Sequence, residues 1–224
     1  MVASAKKLGI VLEPRDGGGE PQAFSIAAGG EFFVMLMPAP HPDAPRMPYG
    51  PTSPSIEEAT QAPAHFVLTA MGIEGDERRR DLVMALLTAC VIDHTDAVGA
   101  MLGHGVVFHR APLFSKLAAL GAQKGLLPPE IAIDVTAANE GGGRMSFLSH
   151  NMTRYGREDF FVTCPVEGKG AFDFLLMMVR WLYTDLEKVL RTGDTVGRTA
   201  DEKIAIQRVP NPTGSGQTVI RLDL

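Results

Sequence analysis

The chain has 224 residues, of which 45% are hydrophobic and 21% charged, a composition typical of a globular protein that buries its own core. The formal net charge of −5 argues against general affinity for nucleic acid, because such binding needs a basic surface that displaces counterions. No apolar run approaches the roughly 20 residues that a membrane-spanning helix needs. We therefore expect no nucleic-acid or membrane partner and a cytoplasmic location.

Glycine and proline divide the first part of the chain into short segments. Residues 13–22 contain three consecutive glycines and are interpreted as a linker. The continuous apolar run at 32–37 predicts a buried strand. Residues 38–63 carry eight prolines and almost no periodicity, which predicts a long loop.

From residue 64 onward, strand and helix signals follow one another at short intervals. Two helices are predicted, one capped by Asp76 and running to about Asp93, the other starting near Pro112 and ended by Gly125. Short apolar or alternating runs indicate further strands. They cover residues 65–71, 98–102, 106–109, 131–137, 145–150, 160–164, 203–209 and 217–222.

A long apolar helix is predicted from Ala171 to about Arg191, and a Gly-Asp-Thr turn beginning at Gly193 follows it. One helical stripe should lie on a sheet, and its members are Phe172, Leu175, Leu176, Val179, Leu182, Tyr183, Leu186 and Leu190. A second stripe points away from the first and contains Phe174, Met177, Met178 and Trp181. The second stripe either packs between two layers of the same chain or forms a surface for self-association.

Together these elements predict the α+β fold class, with antiparallel sheets covered by helices. An arrangement in two similar α/β-sandwich halves stays open. We expect an N-terminal α+β half at residues 1–125, which includes the proline-rich loop 38–63, and a C-terminal α+β domain at residues 126–224.

The last part of the chain carries several motifs in order. They are Thr153-Arg154-Tyr155-Gly156-Arg157-Glu158-Asp159-Phe160, the long helix, Gly193-Asp194-Thr195-Val196-Gly197 and Asp201-Glu202-Lys203-Ile204-Ala205-Ile206. In this order they resemble the bacterial domain of unknown function 4261 family, over about residues 130–224. The resemblance implies a bacterial origin and an architecture of strands around one helix. It implies no substrate, cofactor or catalytic residue.

The residues able to carry chemistry are not grouped into a recognisable motif. The sequence has no P-loop, nucleophile elbow or Rossmann fingerprint, and neither Cys90 nor Cys164 has a Cys or His neighbour at metal-ligand spacing. His104 and His109 are five residues apart, a separation that places side chains on opposite faces of a strand. We therefore predict no catalytic residue, no metal and no cofactor.

One polar cluster lies at residues 149–158, between two predicted strands. If this connection lined a groove, His150, Arg154 and Tyr155 would hold an anionic or peptide ligand. The alternative interpretation is a surface loop whose charges are solvated. His104 and His109 complete the set of candidate ligand or partner contacts.

Two functions remain open from the sequence. The first is a non-catalytic, immunity- or adaptor-like interaction module that binds either a second copy of itself, as a homodimer, or another protein. The alternative is a small-molecule-binding protein or an enzyme, with a site between the hairpin at 102–109 and the loop at 149–158.

Overall fold

The computed structural model describes residues 1–15, 22–27, 29–47, 49–103, 108–168 and 170–224. The chain divides into two compact units, Met1–Ala132 and Ile133–Leu224. Each unit combines helices with a sheet, so the predicted α+β class is confirmed. The strand order differs between the two sheets.

The first unit is built around a four-stranded antiparallel meander in the order β1-β2-β3-β4. Its elements are α1 (Val2–Lys7), β1 (Leu12–Pro14), β2 (Gln22–Ile26), β3 (Glu31–Met37), α2 (Ile56–Thr60), β4 (His65–Met71), α3 (Glu77–Ile92), β5 (Gly99–Ala100), β6 (His109–Arg110), α4 (Ala111–Lys124) and α5 (Pro129–Ala132). The short strands β5 and β6 pair with each other, antiparallel.

Two predictions for the start of the chain need correction. Both ends of the segment interpreted as a linker belong to strands, because Glu13 and Pro14 pair with Ser25 and Phe24, and Gln22 pairs with Val34. Residues 16–21 lie outside the described part of the chain. The strand predicted to be buried along its whole length is buried only near its start, since Met35, Leu36 and Met37 are all exposed to solvent.

The helix α3 agrees with its sequence signals at both ends. The Asp76 carboxylate accepts a hydrogen bond from the backbone N–H of Arg79 at 2.9 Å, so the predicted cap is present. The helix α4 ends at Gly125, which adopts φ of +66° in the left-handed region that favours glycine. The helices α3 and α4 pack together, and Leu87 and Cys90 are fully buried.

The proline-rich segment 38–63 contains more regular structure than the predicted loop. A 3₁₀ turn forms at Ala44–Arg46, and α2 begins at a capping box in which Ser55 and Glu58 each accept a hydrogen bond from the other's backbone N–H. A small apolar cluster holds the segment down. Its buried members are Ala44, Ala59 and Phe108, and Met47, Tyr49 and Met101 pack against them.

The second unit is built around a five-stranded sheet in the order β12-β13-β9-β8-β7. Its elements are β7 (Asp134–Gly141), β8 (Arg144–His150), β9 (Phe160–Pro165), α6 (Ala171–Thr184), β10 (Thr195–Val196), β11 (Ile204–Ala205), β12 (Gln207–Pro210) and β13 (Thr218–Asp223). Neighbouring strands are antiparallel except β13 and β9, which run parallel. The short strands β10 and β11 form a separate antiparallel pair.

Two element boundaries in this part of the sequence were predicted wrongly. The strand predicted at 131–137 begins only at Asp134, because Pro129 starts the short helix α5, which contains Ile131. The long helix ends at Thr184, not near Arg191. Its C-terminal neighbour Asp185 is extended, and the Asp185 carboxylate accepts from the backbone N–H of Glu187 at 3.1 Å, which turns the chain away.

The Gly-Asp-Thr segment begins nine residues after the end of α6 and leads into β10. The backbone N–H of Gly193 donates to the carbonyl of Ile206, and the N–H of Ile206 donates to the carbonyl of Asp194. The Asp194 carboxylate accepts from the N–H of Arg191 at 2.8 Å, as expected for an acidic residue in a tight reversal. Buried Ile206 separates β11 from β12, so the strand predicted over 203–209 is divided in two.

Candidate functional site

The inner face of α6 packs into the second unit, with contacts to β8 and β9. The helix buries its inner side chains, which are Phe174, Leu175, Met178, Val179, Leu182 and Tyr183. This set takes members from both predicted stripes. Phe174 and Met178, placed in the outward stripe by the sequence, are buried. Phe172, placed in the inward stripe, is 43% exposed and its ring lies 5.8 Å from that of Phe147.

The outer face of α6 exposes two large apolar side chains that are neighbours on the helix. Met177 is 44% exposed and Trp181, the only tryptophan of the chain, is 37% exposed. They are four residues apart, a spacing that places side chains one above the other. Asp173 and Arg180 are exposed on the same side of the helix. We call Met177 and Trp181, with these two charged neighbours, the α6 patch.

A 3₁₀ turn at Met152–Tyr155 forms the connection between β8 and β9. Asn151 precedes it with φ of +79°, and among the described residues it is the one residue other than glycine with positive φ. Gly156 ends the turn, also in the left-handed region. Asparagine tolerates this backbone conformation better than most residues.

A buried carboxylate that no sequence motif singles out holds this connection in place. Asp159 accepts hydrogen bonds from the hydroxyl of Ser149 at 2.9 Å and from the backbone N–H of Met152 at 3.1 Å. The Ser149 oxygen in turn accepts from the N–H of Phe160 at 2.8 Å. Burial raises the pKa of Asp159, and the Met152 N–H, the Ser149 hydroxyl and the nearby His150 oppose that rise only in part.

The three predicted contacts of this connection have different environments. His150 is partly buried on β8, with Nε2 2.8 Å from the hydroxyl of Thr136. Tyr155 is buried and its ring packs edge-on against Tyr183, with ring centres 5.0 Å apart. Arg154 is exposed. The burial of Tyr155 favours a packing role for that side chain.

The other two predicted contacts belong to the first unit. His104 lies outside the described residues. His109 is buried, with Nε2 2.9 Å from the carbonyl oxygen of Glu130 and Nδ1 3.0 Å from the Thr52 hydroxyl. Both ring nitrogens therefore hold neighbouring segments together. Segment 102–109 belongs to the first unit and 149–158 to the second.

Neither cysteine has the character of a reactive thiol. Cys90 and Cys164 are both buried and unpaired. Burial, with a smaller contribution from Asp93, raises the pKa of Cys90 to about 11, so its thiol is almost entirely protonated at neutral pH. Within the described segments, no three His, Cys, Asp or Glu side chains group together as metal ligands.

The chain was also compared with known proteins. A scan against protein-family models, a search of curated proteins and a search of solved structures all found no match. The resemblance to the domain of unknown function 4261 family therefore stays a prediction. Among the helices of the described segments, none pairs membrane-spanning length with a sufficiently apolar sequence.

Sequence patterns carried part of the information about these sites. The exposed Met177 and Trp181 belong to a stripe that the helical period separates from the main apolar face. Asp159 gave a weaker signal, as an acidic residue directly before an apolar strand. Its hydrogen-bond partner Ser149 lies ten residues earlier, and no local pattern connects the two.

Proposed function

We propose that this chain is a non-catalytic protein-interaction module whose contact surface is the α6 patch. The observation that supports the proposal is the exposure of Trp181 and Met177 side by side on a helix whose inner face is already packed. Tryptophan and methionine are enriched where proteins bind one another, and tryptophan is prominent among the residues whose truncation weakens binding most. Asp173 and Arg180 supply a charged border to this apolar pair.

The proposed partner is a protein, either a second copy of the chain or a different polypeptide. The role fits an immunity- or adaptor-like protein of bacterial, cytoplasmic origin, in which binding itself is the function. A two-residue apolar contact is small, so the complex would need further polar contacts at its rim to reach the size of a stable interface.

Trp181 provides a direct readout of this proposal. Because the chain has one tryptophan, its fluorescence reports on the α6 patch alone. Binding through the patch removes water from the indole and shifts its emission to shorter wavelength. We expect this shift to appear with increasing protein concentration if the partner is a second copy, together with a rise in mass by light scattering. If the partner is a different protein, we expect the emission shift when that co-purifying partner is added.

A matched pair of variants tests the assignment. Met177→Lys places a charge in the patch one turn after Asp173. We expect it to reduce binding at least about tenfold, because the ammonium loses its hydration when a partner covers the patch. Val189→Lys places the same charge at a side chain that is 65% exposed and outside the helix, and it should bind like the parent chain. A Met177→Lys protein that binds its partner unchanged, or a parent chain that stays monomeric and captures no protein, would contradict the proposal.

A further inference from the structure

Two histidines and a methionine come together at one end of the β3–β4 pair, on a partly exposed surface of the first unit. Met37 and His65 are direct cross-strand partners. Their side chains therefore leave the same face of the sheet, with Cβ atoms about 5 Å apart. The ring of His41 meets that of His65 edge-to-face, with ring centres 5.0 Å apart and planes at 67°.

The imidazole of His65 is held with one nitrogen available. Its Nδ1 lies 2.9 Å from the carbonyl oxygen of Ala39, and since a carbonyl only accepts, Nδ1 carries the proton. The lone pair of the neutral ring is then on Nε2. A histidine that binds a metal commonly donates its other ring N–H to a backbone carbonyl in this way, which fixes its tautomer and orientation.

The position of His41 is restricted by its neighbours in sequence. It lies between Pro40 and Pro42, whose rings limit the backbone on both sides. Its Nδ1 accepts from the backbone N–H of Asp43 at a long 3.2 Å. Coordination through Nε2 places the proton on Nδ1, so this one exposed hydrogen bond is given up when a metal binds.

We infer that Met37, His41 and His65 form a binding site for a soft monovalent cation, Cu(I) or Ag(I). Thioether sulfur is a ligand that selects Cu(I) over hard cations, and imidazole binds copper well. Imidazole nitrogens lie about 2 Å from a bound ion, so two rings on one ion have centres roughly 5–6 Å apart. The observed separation of the His41 and His65 rings lies in this range.

The surroundings favour a soft cation over Zn²⁺ or Ca²⁺. Within the described part of the chain, no third His, Cys, Asp or Glu joins the histidine pair, whereas structural zinc sites usually take four such ligands. The third available donor is the sulfur of Met37, which is 36% exposed and open to an incoming ion. Met35 lies two residues earlier on the same face and offers a second thioether.

Silver provides a redox-inert probe for this site. We would add Ag(I) in chloride-free buffer to protein labelled with ¹³C at its methionine methyl groups, and follow all 11 methionines by NMR. We expect the Met37 methyl to shift first and to saturate at one equivalent. Competition with bicinchoninate under anaerobic conditions then measures the affinity for Cu(I).

Single substitutions assign the ligands, and all three side chains are partly exposed, so the variants should fold. We expect Met37→Leu, His41→Ala and His65→Ala each to weaken binding about tenfold or more, the scale on which even outer-shell changes act. Met71→Leu is the matched control. It removes an exposed methionine from the same strand pair, about 20 Å from His65 along β4, and should change affinity less than about twofold.

Four results would overturn the inference. The first is a simultaneous shift of many exposed methionines without a one-equivalent endpoint, which indicates non-specific thioether binding. The second is an affinity unchanged by His41→Ala and His65→Ala. The third is a Met37→Leu protein that keeps full affinity. The fourth is Zn²⁺ binding as tight as Ag(I). Either of these last two results makes the site a plain imidazole pair.

Discussion

The Ser149 hydroxyl donates to the Asp159 carboxylate across 2.9 Å, joining the end of β8 to the start of β9 within the buried part of the second unit. The same two side chains also accept hydrogen bonds from the backbone. Asp159 accepts from the N–H of Met152, and Ser149 accepts from the N–H of Phe160. The carbonyl of Asp159 accepts from Ile220 on β13. One acidic residue thus links a turn and three strands.

The first prediction concerns the acceptor role of Asp159. Asp159→Ala leaves the Met152 N–H and the Ser149 hydroxyl without their partner, and we expect it to lower the free energy of unfolding by about 1–3 kcal/mol. Asp159→Asn keeps an oxygen acceptor of the same shape and should lower the free energy of unfolding by a smaller amount. Urea denaturation followed by circular dichroism measures both, with Asp201→Ala, an exposed position outside any helix or strand, as control. Equal losses in the Ala and Asn variants would contradict this role.

The second prediction uses pH to separate two carboxylates of the second unit. The pKa of Asp159 is raised by burial, so its contribution to stability is present below the unfolded value and is lost as pH rises through the folded value. Burial also disfavours the charge of Asp223. However, the Thr163 hydroxyl, the Arg221 guanidinium and nearby Arg144 outweigh burial and lower the pKa of Asp223. Its contribution is therefore present above the unfolded value and is lost as pH falls.

These signs predict opposite behaviour for two amide variants. We compare the variants between about pH 3 and pH 7, an interval that spans the ordinary aspartate pKa. As pH rises, the free energy of unfolding of Asp159→Asn should increase relative to that of the parent chain. The free energy of unfolding of Asp223→Asn should decrease relative to that of the parent chain over the same interval. Unfolding free energies measured at several pH values give both slopes. If the unfolding free energies of the two variants change with pH in the same direction, the opposite environments assigned to these carboxylates are wrong.

Elements with local end signals and a clear period could be predicted from the sequence. The strand β4 was predicted at His65–Met71 and is found there, and α3 begins after the Asp76 cap. In both cases the residues that determine the boundary are within a few positions of it. The fold class followed from the order of these elements.

Boundaries set by partners distant in sequence could not be predicted. The apolar period of α6 continues through Leu186 and Leu190, yet the helix ends at Thr184. The guanidinium of Arg157, 28 residues earlier, donates to the carbonyl of Asp185 at 3.0 Å and supports the extended exit. The same limit applies to the candidate site, because the polar run around Tyr155 does not indicate that this side chain is buried.

The third prediction tests the buried imidazole of His109. Its Nε2–H donates to the carbonyl of Glu130, so in the neutral ring Nδ1 accepts from the Thr52 hydroxyl. His109→Ala removes the ring from a buried position, and we expect a loss of about 2–4 kcal/mol from the cavity and lost hydrogen bonds. Thr52→Val removes one bond only and should cost about 1 kcal/mol. Thermal unfolding measures the loss of stability in each variant, and we expect the larger loss in His109→Ala. Equal stability of His109→Ala and the parent chain would contradict a structural role for His109.

The last prediction concerns the turn between β10 and β11, where the backbone leaves no room for a side chain at Gly197. A Cβ added there would lie 2.1 Å from the carbonyl oxygen of Glu202, and backbone cannot move aside as a flexible side chain does. We expect Gly197→Ala to destabilise the β10–β11 pair by about 1–3 kcal/mol. Gly50→Ala is the matched control, because a Cβ at Gly50 meets no atom within 4 Å and its backbone φ is not positive. Amide hydrogen exchange at Ile206, whose N–H donates to Asp194, reports the local loss, and equal protection in both variants would show that the turn adjusts without cost.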